Sequence, residues 1–177
     1  MARKRRKRPD ESANTFAAEM RLLIGERWGV LWATMPAALA GEDIEGVHDV
    51  RVASRRLRAA MDVAVECFPA GWYKPLHRSA KEITRALGEV RDRDVLAAAL
   101  AAERDAAPVA ERPGIQRLID RVEAERTTAR AAMEAFILGV VGGSLPGETE
   151  RRFGPAAAVP AELLAIAAGR APEDDAA

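Results

Sequence analysis

"HDVRVASRRLRAAMDV", residues 48–63, decides the fold. Successive helical residues turn by about 100°, which gathers Val50, Leu57 and Met61, with Phe68 beyond them, into one apolar stripe. His48, Arg51, Arg55, Arg58 and Asp62 project from another side. One side packs and the other is cationic, the signature of a surface helix. Asp43 is the expected N-cap, its carboxylate accepting an unbonded backbone N–H. Pro69 disfavours helical geometry in the residue before it, which sets the expected end at Phe68.

Working outward, the same three-to-four spacing predicts a first helix over residues 12–35, with Phe16, Met20, Leu23, Ile24, Val30 and Leu31 facing inward and Pro36 near its end. A third helix follows "AGWYKP" (70–75) and reaches about Leu87, where Gly88 weakens it. Trp72 and Tyr73 are expected in the loop before it, and Trp28, Trp32 and Phe68 in the core. A fourth, "DVLAAALAAERDAA" (94–107), is capped by Asp92 or Asp94, and a fifth spans 115–141 after "RPG". The prediction is an all-α antiparallel bundle of about four to five helices over residues 12–141. Residues 1–11 form a basic arm too charged and too short to pack. Residues 142–177 are rich in Gly, Pro and Ala and end in "PEDDAA", so they are expected to be largely disordered, with at best one short helix near 162–168.

Charge is distributed unevenly. The formal net charge is zero, yet residues 1–93 hold 18 Lys/Arg against 13 Asp/Glu and residues 94–177 hold 9 against 14. On the third helix Lys74, Arg78, Lys81 and Arg85 recur at helical spacing, with Leu76, Ala80, Ile83, Leu87 and Val90 opposite and Glu82 and Glu89 set away from the row. Short loops join antiparallel neighbours, so the two cationic rows are expected to border one groove. Solvated arginines balanced by acids one turn away are the plainer reading. Too few acids fall on these rows for that balance.

Arg126 falls inside the apolar stripe Ile119, Val122, Ala129 and Met133 of the fifth helix. A buried guanidinium needs a partner; Arg126 is expected either to point into the groove or to pair with an acid such as Asp94. The run "RKRRKR" (3–8) is equally consistent with a nuclear import patch, a nucleic-acid arm or a solubilising tail. Cys67 is the sole cysteine, so neither an internal disulfide nor a cysteine zinc cage can form. No apolar run approaches the roughly 18 residues of a membrane span. The expectation is a cytoplasmic protein without membrane contact, metal or cofactor.

The segments "VHDVRVASRRLRAAMDVAVECF" (47–68) and "LGEVRDRDVLAAAL" (87–100) together resemble the motifs of the CHAD family, the conserved histidine α-helical domain. The resemblance is firm over residues 42–100 and positional for the helices on either side. It implies a helical domain that binds inorganic polyphosphate through a basic surface or channel, on polyphosphate granules in bacteria. Carried onto matching positions, it assigns binding to His48, Arg51, Arg55, Arg56 and Arg58, and gives Arg91 and Asp94 to the second motif, Asp94 in an orienting role. Position 93, usually apolar in that motif, is Arg93 here. Family members commonly hold two helical halves, whereas this chain displays one, implying either an open single-half site or a homodimer that rebuilds the missing face.

The full expected polyphosphate surface is therefore His48, Arg51, Arg55, Arg56, Arg58, Lys74, Arg78, Lys81, Arg85, Arg91 and Arg126. Arginine suits this ligand because its planar fork of donors meets phosphate oxygens and never deprotonates. Nucleic acid is the rival partner: the only Asn and Gln, Asn14 and Gln116, lie outside the cationic rows, which leaves little for reading base edges. A polyphosphate-processing enzyme is the third alternative. His48, Asp49, His77, Cys67, Asp92 and Asp94 match no nucleophile elbow, phosphate loop or metal-ligand spacing, so a binding protein is expected.

Overall fold

The structure is a computed structural model that describes residues 11–41 and 44–169. Four long helices follow one another, α1 (Glu11–Ala40), α2 (Ile44–Val63), α3 (Ala70–Ala106) and α4 (Arg112–Val141). Two shorter ones follow among the described residues, α5 (Leu145–Phe153) and α6 (Ala161–Ala167), joined through a 3-10 turn at Pro155–Ala157. No strand occurs among the described residues. Each long helix packs on the next in sequence, while α5, the 3-10 turn and α6 fill the space between α1 and α4. The all-α antiparallel bundle is as expected.

Its core is built from the stripes that helical spacing selects. Ile24, Trp28, Leu31, Trp32 and Met35 of α1 are fully buried, as are Val50, Leu57 and Met61 of α2 and Ala80, Ile83 and Leu87 of α3. The Trp28 and Trp32 rings stack with centroids 5.2 Å apart. Phe16 and Val30, expected inside, are 48 % and 46 % exposed. Val30 lies about 200° around the helix from Trp28, which turns it to solvent. Helix α1 also runs through Pro36 and ends at Gly41, whose positive φ of 72° suits a residue without a side chain. The expected N-cap Asp43 lies outside the described residues, as do the arm at 1–10 and the acidic tail at 170–177.

Helix α3 departs most from expectation. It is one helix of 37 residues, and Gly88, Asp92 and Asp94 lie within it. A glycine costs a helix interior roughly 1 kcal/mol, less than the burial of Leu87, Val90 and Ala97 on either side contributes. Asp92 and Asp94 therefore cap nothing. Trp72 and Tyr73 belong to this helix rather than to a loop, and the buried Tyr73 hydroxyl donates to the Met61 carbonyl at 2.8 Å. Helix α2 stops at Val63, five residues before Phe68. Turns closed by Ala64 N–H to Ala60 and Cys67 N–H to Ala64 then deliver the Phe68 ring against Tyr73 and Phe153.

The segment after residue 142 is also not as expected. Phe153, Ala157 and Leu163 are buried in the main core. Thr149, fully buried, donates to the Pro146 carbonyl at 2.8 Å, and Arg21 Nη1 of α1 donates to the Arg152 carbonyl at 2.6 Å. Close approach of this segment to α1 rests on small residues of α1 itself. A side chain at Gly25 or Gly29 would collide with the carbonyls of Phe153 and Ala156. No single helix among the described residues is both long and apolar enough to cross a membrane; α4 and α5 meet that combination of length and composition only together, across a 56° bend.

Candidate functional site

Two contacts fix the register of α2 against α3. Nε2 of His77 lies 2.8 Å from Oδ1 of Asp62. Eleven residues back along α2 and eleven forward along α3, the Arg51 guanidinium lies over Gly88, with Nη1 only 2.9 Å from where a Cβ would stand. Antiparallel helices in this register set Arg58 level with Lys81, Arg55 with Thr84, and His48 with Arg91.

An open groove of about 430 Å³ runs between the two helices. Arg51, Arg55 and Arg58 line it from α2, and Arg85 faces them from α3. Thr84 and Gly88 form part of the α3 wall, together with Glu89 and Asp92. Among the described residues no ion pair engages Arg51, Arg55 or Arg58; Arg85 has only a 3.8 Å approach to Glu89. Nε of Arg58 is buried and has no hydrogen-bond partner. Three guanidiniums one helical turn apart repel one another, and an anion placed between them would relieve that repulsion.

His48 and Arg91, half-buried, stand level with each other one turn beyond Arg51 and Gly88. Lys74, Arg78 and Lys81 are exposed on the same stripe of α3 as Arg85, outside the groove wall and toward the start of the helix. Arg56 turns toward α1, where it and Arg27 border a separate apolar depression floored by Met20, Leu23 and Ala60. Arg126 does not line the groove either. Its Nε lies 2.5 Å from Oδ1 of Asp94, a carboxylate 2 % exposed, and its Nη1 is 3.3 Å from Glu123. The hydrogen bond to Asp94, more than any other influence, raises the guanidinium pKa further above its ordinary value.

Glu89 and Asp92 are groove residues that sequence reasoning missed. Taking Gly88 as a helix end hid Asp92, which a continuous wheel places seven residues after Arg85 on the same stripe. Glu89, expected away from the basic row, lies one turn after Arg85, lines the groove and comes within 3.8 Å of that guanidinium. No group of three or more His, Cys, Asp or Glu suited to a metal ion occurs among the described residues.

This is an all-helical protein with an arginine-lined groove between consecutive antiparallel helices. The CHAD domain family model matches residues 23–160, and the chain belongs to that family. The match extends from α1 through the 3-10 turn, so it includes part of the segment beyond residue 142. Neither the curated proteins nor the solved structures contain a match.

Proposed function

We propose that this protein binds inorganic polyphosphate in the groove between α2 and α3. The family is associated with polyphosphate binding. The observation that carries the reading is the convergence of Arg51, Arg55, Arg58 and Arg85 on one groove where, among the described residues, only Arg85 is approached by a carboxylate. A linear polyanion without bases asks for repeated cationic donors on a rigid frame, and two packed helices supply one. His48 and Arg91 extend the track at one end, and Lys81, Arg78 and Lys74 at the other. Glu89 and Asp92 on the α3 wall repel the ligand locally and keep its path along the α2 arginines. Arg56 and Arg126 belong to other surfaces and are left out of the binding set.

The reading is of a cytoplasmic binding protein rather than an enzyme, acting at polyphosphate granules. Pairing of two copies is part of the proposal; Val95, Leu96 and Leu118, exposed where α3 and α4 extend past α2, offer apolar surface for it. Sedimentation with and without polyphosphate tests the pairing, and a monomer in both conditions removes it. The function is tested by titrating the protein with long-chain polyphosphate and with duplex DNA at matched salt. Polyphosphate is expected to bind at least about tenfold more tightly, because nothing in the groove reads base edges. Equal competition by the two would make the groove a general polyanion site, and no binding to polyphosphate would end the proposal.

A further inference from the structure

Gly88 occupies the middle of a 37-residue helix, where alanine is the better residue. Within the long helices, Gly25, Gly29 and Gly46 each face a neighbouring backbone carbonyl that a Cβ would meet at 2.7, 2.1 and 2.8 Å. Those three are explained by close packing of the chain. Gly88 is different, because the atoms over it are the guanidinium of Arg51, Nη1 at 2.9 Å and Cζ at 4.0 Å from the Cβ position, and no backbone approaches. A flexible side-chain tip yields to a methyl group at little cost, so packing does not explain the glycine.

We propose that Gly88 is a positioning residue for ligand binding: its missing side chain forms a seat on α3 that holds the Arg51 guanidinium down in the groove, in line with Arg55, Arg58 and Arg85. This deepens the reading above and rests on it. Arg51 is the groove arginine nearest His48 and Arg91, and without the seat its long side chain is free to swing out into solvent. Holding the guanidinium in place before the ligand arrives reduces the rotamer freedom lost on binding. The seat thus trades helix stability for affinity, and the two effects of filling it have opposite signs.

The test is Gly88→Ala, read by thermal unfolding and by titration with long-chain polyphosphate, in the native chain and in an Arg51→Ala background. Removing the helix glycine is expected to raise Tm by roughly 2–4 °C. Affinity is expected to fall roughly three- to tenfold in the native chain, through displacement of one charge-assisted donor. In the Arg51→Ala background the same substitution is expected to leave affinity unchanged. Unaltered affinity in the native chain, an equal loss without Arg51, or a lowered Tm each overturns the inference while leaving polyphosphate binding intact. Failure of the unsubstituted protein to bind polyphosphate overturns both, and is seen in the first titration.

Discussion

Arg126 of α4 reaches back to α3 and sets its Nε 2.5 Å from Oδ1 of Asp94, a carboxylate that is almost wholly buried. The pair lies on the α3–α4 seam, so the arginine that interrupts the apolar stripe of α4 joins two helices. Arg126→Ala leaves the Asp94 charge buried without its cation. Because the guanidinium is 34 % exposed, water moderates the loss, which is expected to be about 2–4 kcal/mol in urea unfolding. Polyphosphate affinity of the folded variant is expected to stay within about twofold, since the proposed groove lies elsewhere. A large loss of affinity with little loss of stability would return Arg126 to the ligand surface.

Tyr73 gives the stability a measurable alkaline limb. Burial, reinforced by the nearby Cys67 and Asp62, pushes its hydroxyl well above the ordinary tyrosine range. Above about pH 10 the unfolded chain releases this proton while the native protein keeps it. The unfolded state then binds fewer protons, so stability falls as pH rises, by at most about 1.4 kcal/mol per pH unit from this group. Below pH 10 the contribution is fully present. Tyr73→Phe is expected to flatten the limb and to cost about 1 kcal/mol at neutral pH, through loss of the hydrogen bond to the Met61 carbonyl. Denaturant curves between pH 8 and 11 for both proteins check this, and parallel curves would contradict it.

The segment from Leu145 to Ala167 is part of the fold. Phe153 is 3 % exposed against Phe68 and Trp72, and Leu163 is fully buried. Phe153→Ala is expected to cost about 3–5 kcal/mol and Leu163→Ala about 2–5 kcal/mol, both in one cooperative transition. A change below about 0.5 kcal/mol in either would mean that this segment does not stabilise the bundle.

How far the sequence alone reaches depends on the kind of signal. Repetition at helical spacing identified the bundle and most of its buried stripes, because burying Leu57, Ile83 or Ile137 requires a fixed face. It failed at Gly88 and Phe68, where a local propensity was read without its tertiary setting: packing on both sides carries α3 through the glycine, and α2 ends before the proline can act. It failed again beyond residue 142, where order depends on contact with α1, far away in sequence, whose Gly25 and Gly29 admit the carbonyls of Phe153 and Ala156. At the site, the stripe of Arg51, Arg55 and Arg58 was legible because one helix holds it. Arg126 takes the second of its two expected placements, the pairing with Asp94, while Arg56 lies toward α1, which charge alone does not reveal.

Salt dependence tests how many arginines the proposed polyphosphate ligand meets. Each contact releases condensed counterions, so about four groove contacts predict a fall in affinity of roughly tenfold to a hundredfold between about 50 and 200 mM salt. Removing three of them should lower the slope of log affinity against log salt by about two. Isothermal titration at four salt concentrations measures both slopes, and equal slopes would place the contacts outside the groove.

The central claim is tested most directly by the triple substitution Arg51→Ala, Arg55→Ala, Arg58→Ala, compared with Arg117→Ala, Arg121→Ala, Arg151→Ala, which removes the same charge from other exposed positions. The measurement is the Kd for long-chain polyphosphate at one salt concentration, with circular dichroism confirming the helical fold. The groove predicts a Kd raised at least about a hundredfold by the first set and less than about threefold by the second. Equal effects of the two sets, or an unchanged Kd for the folded groove variant, would contradict it.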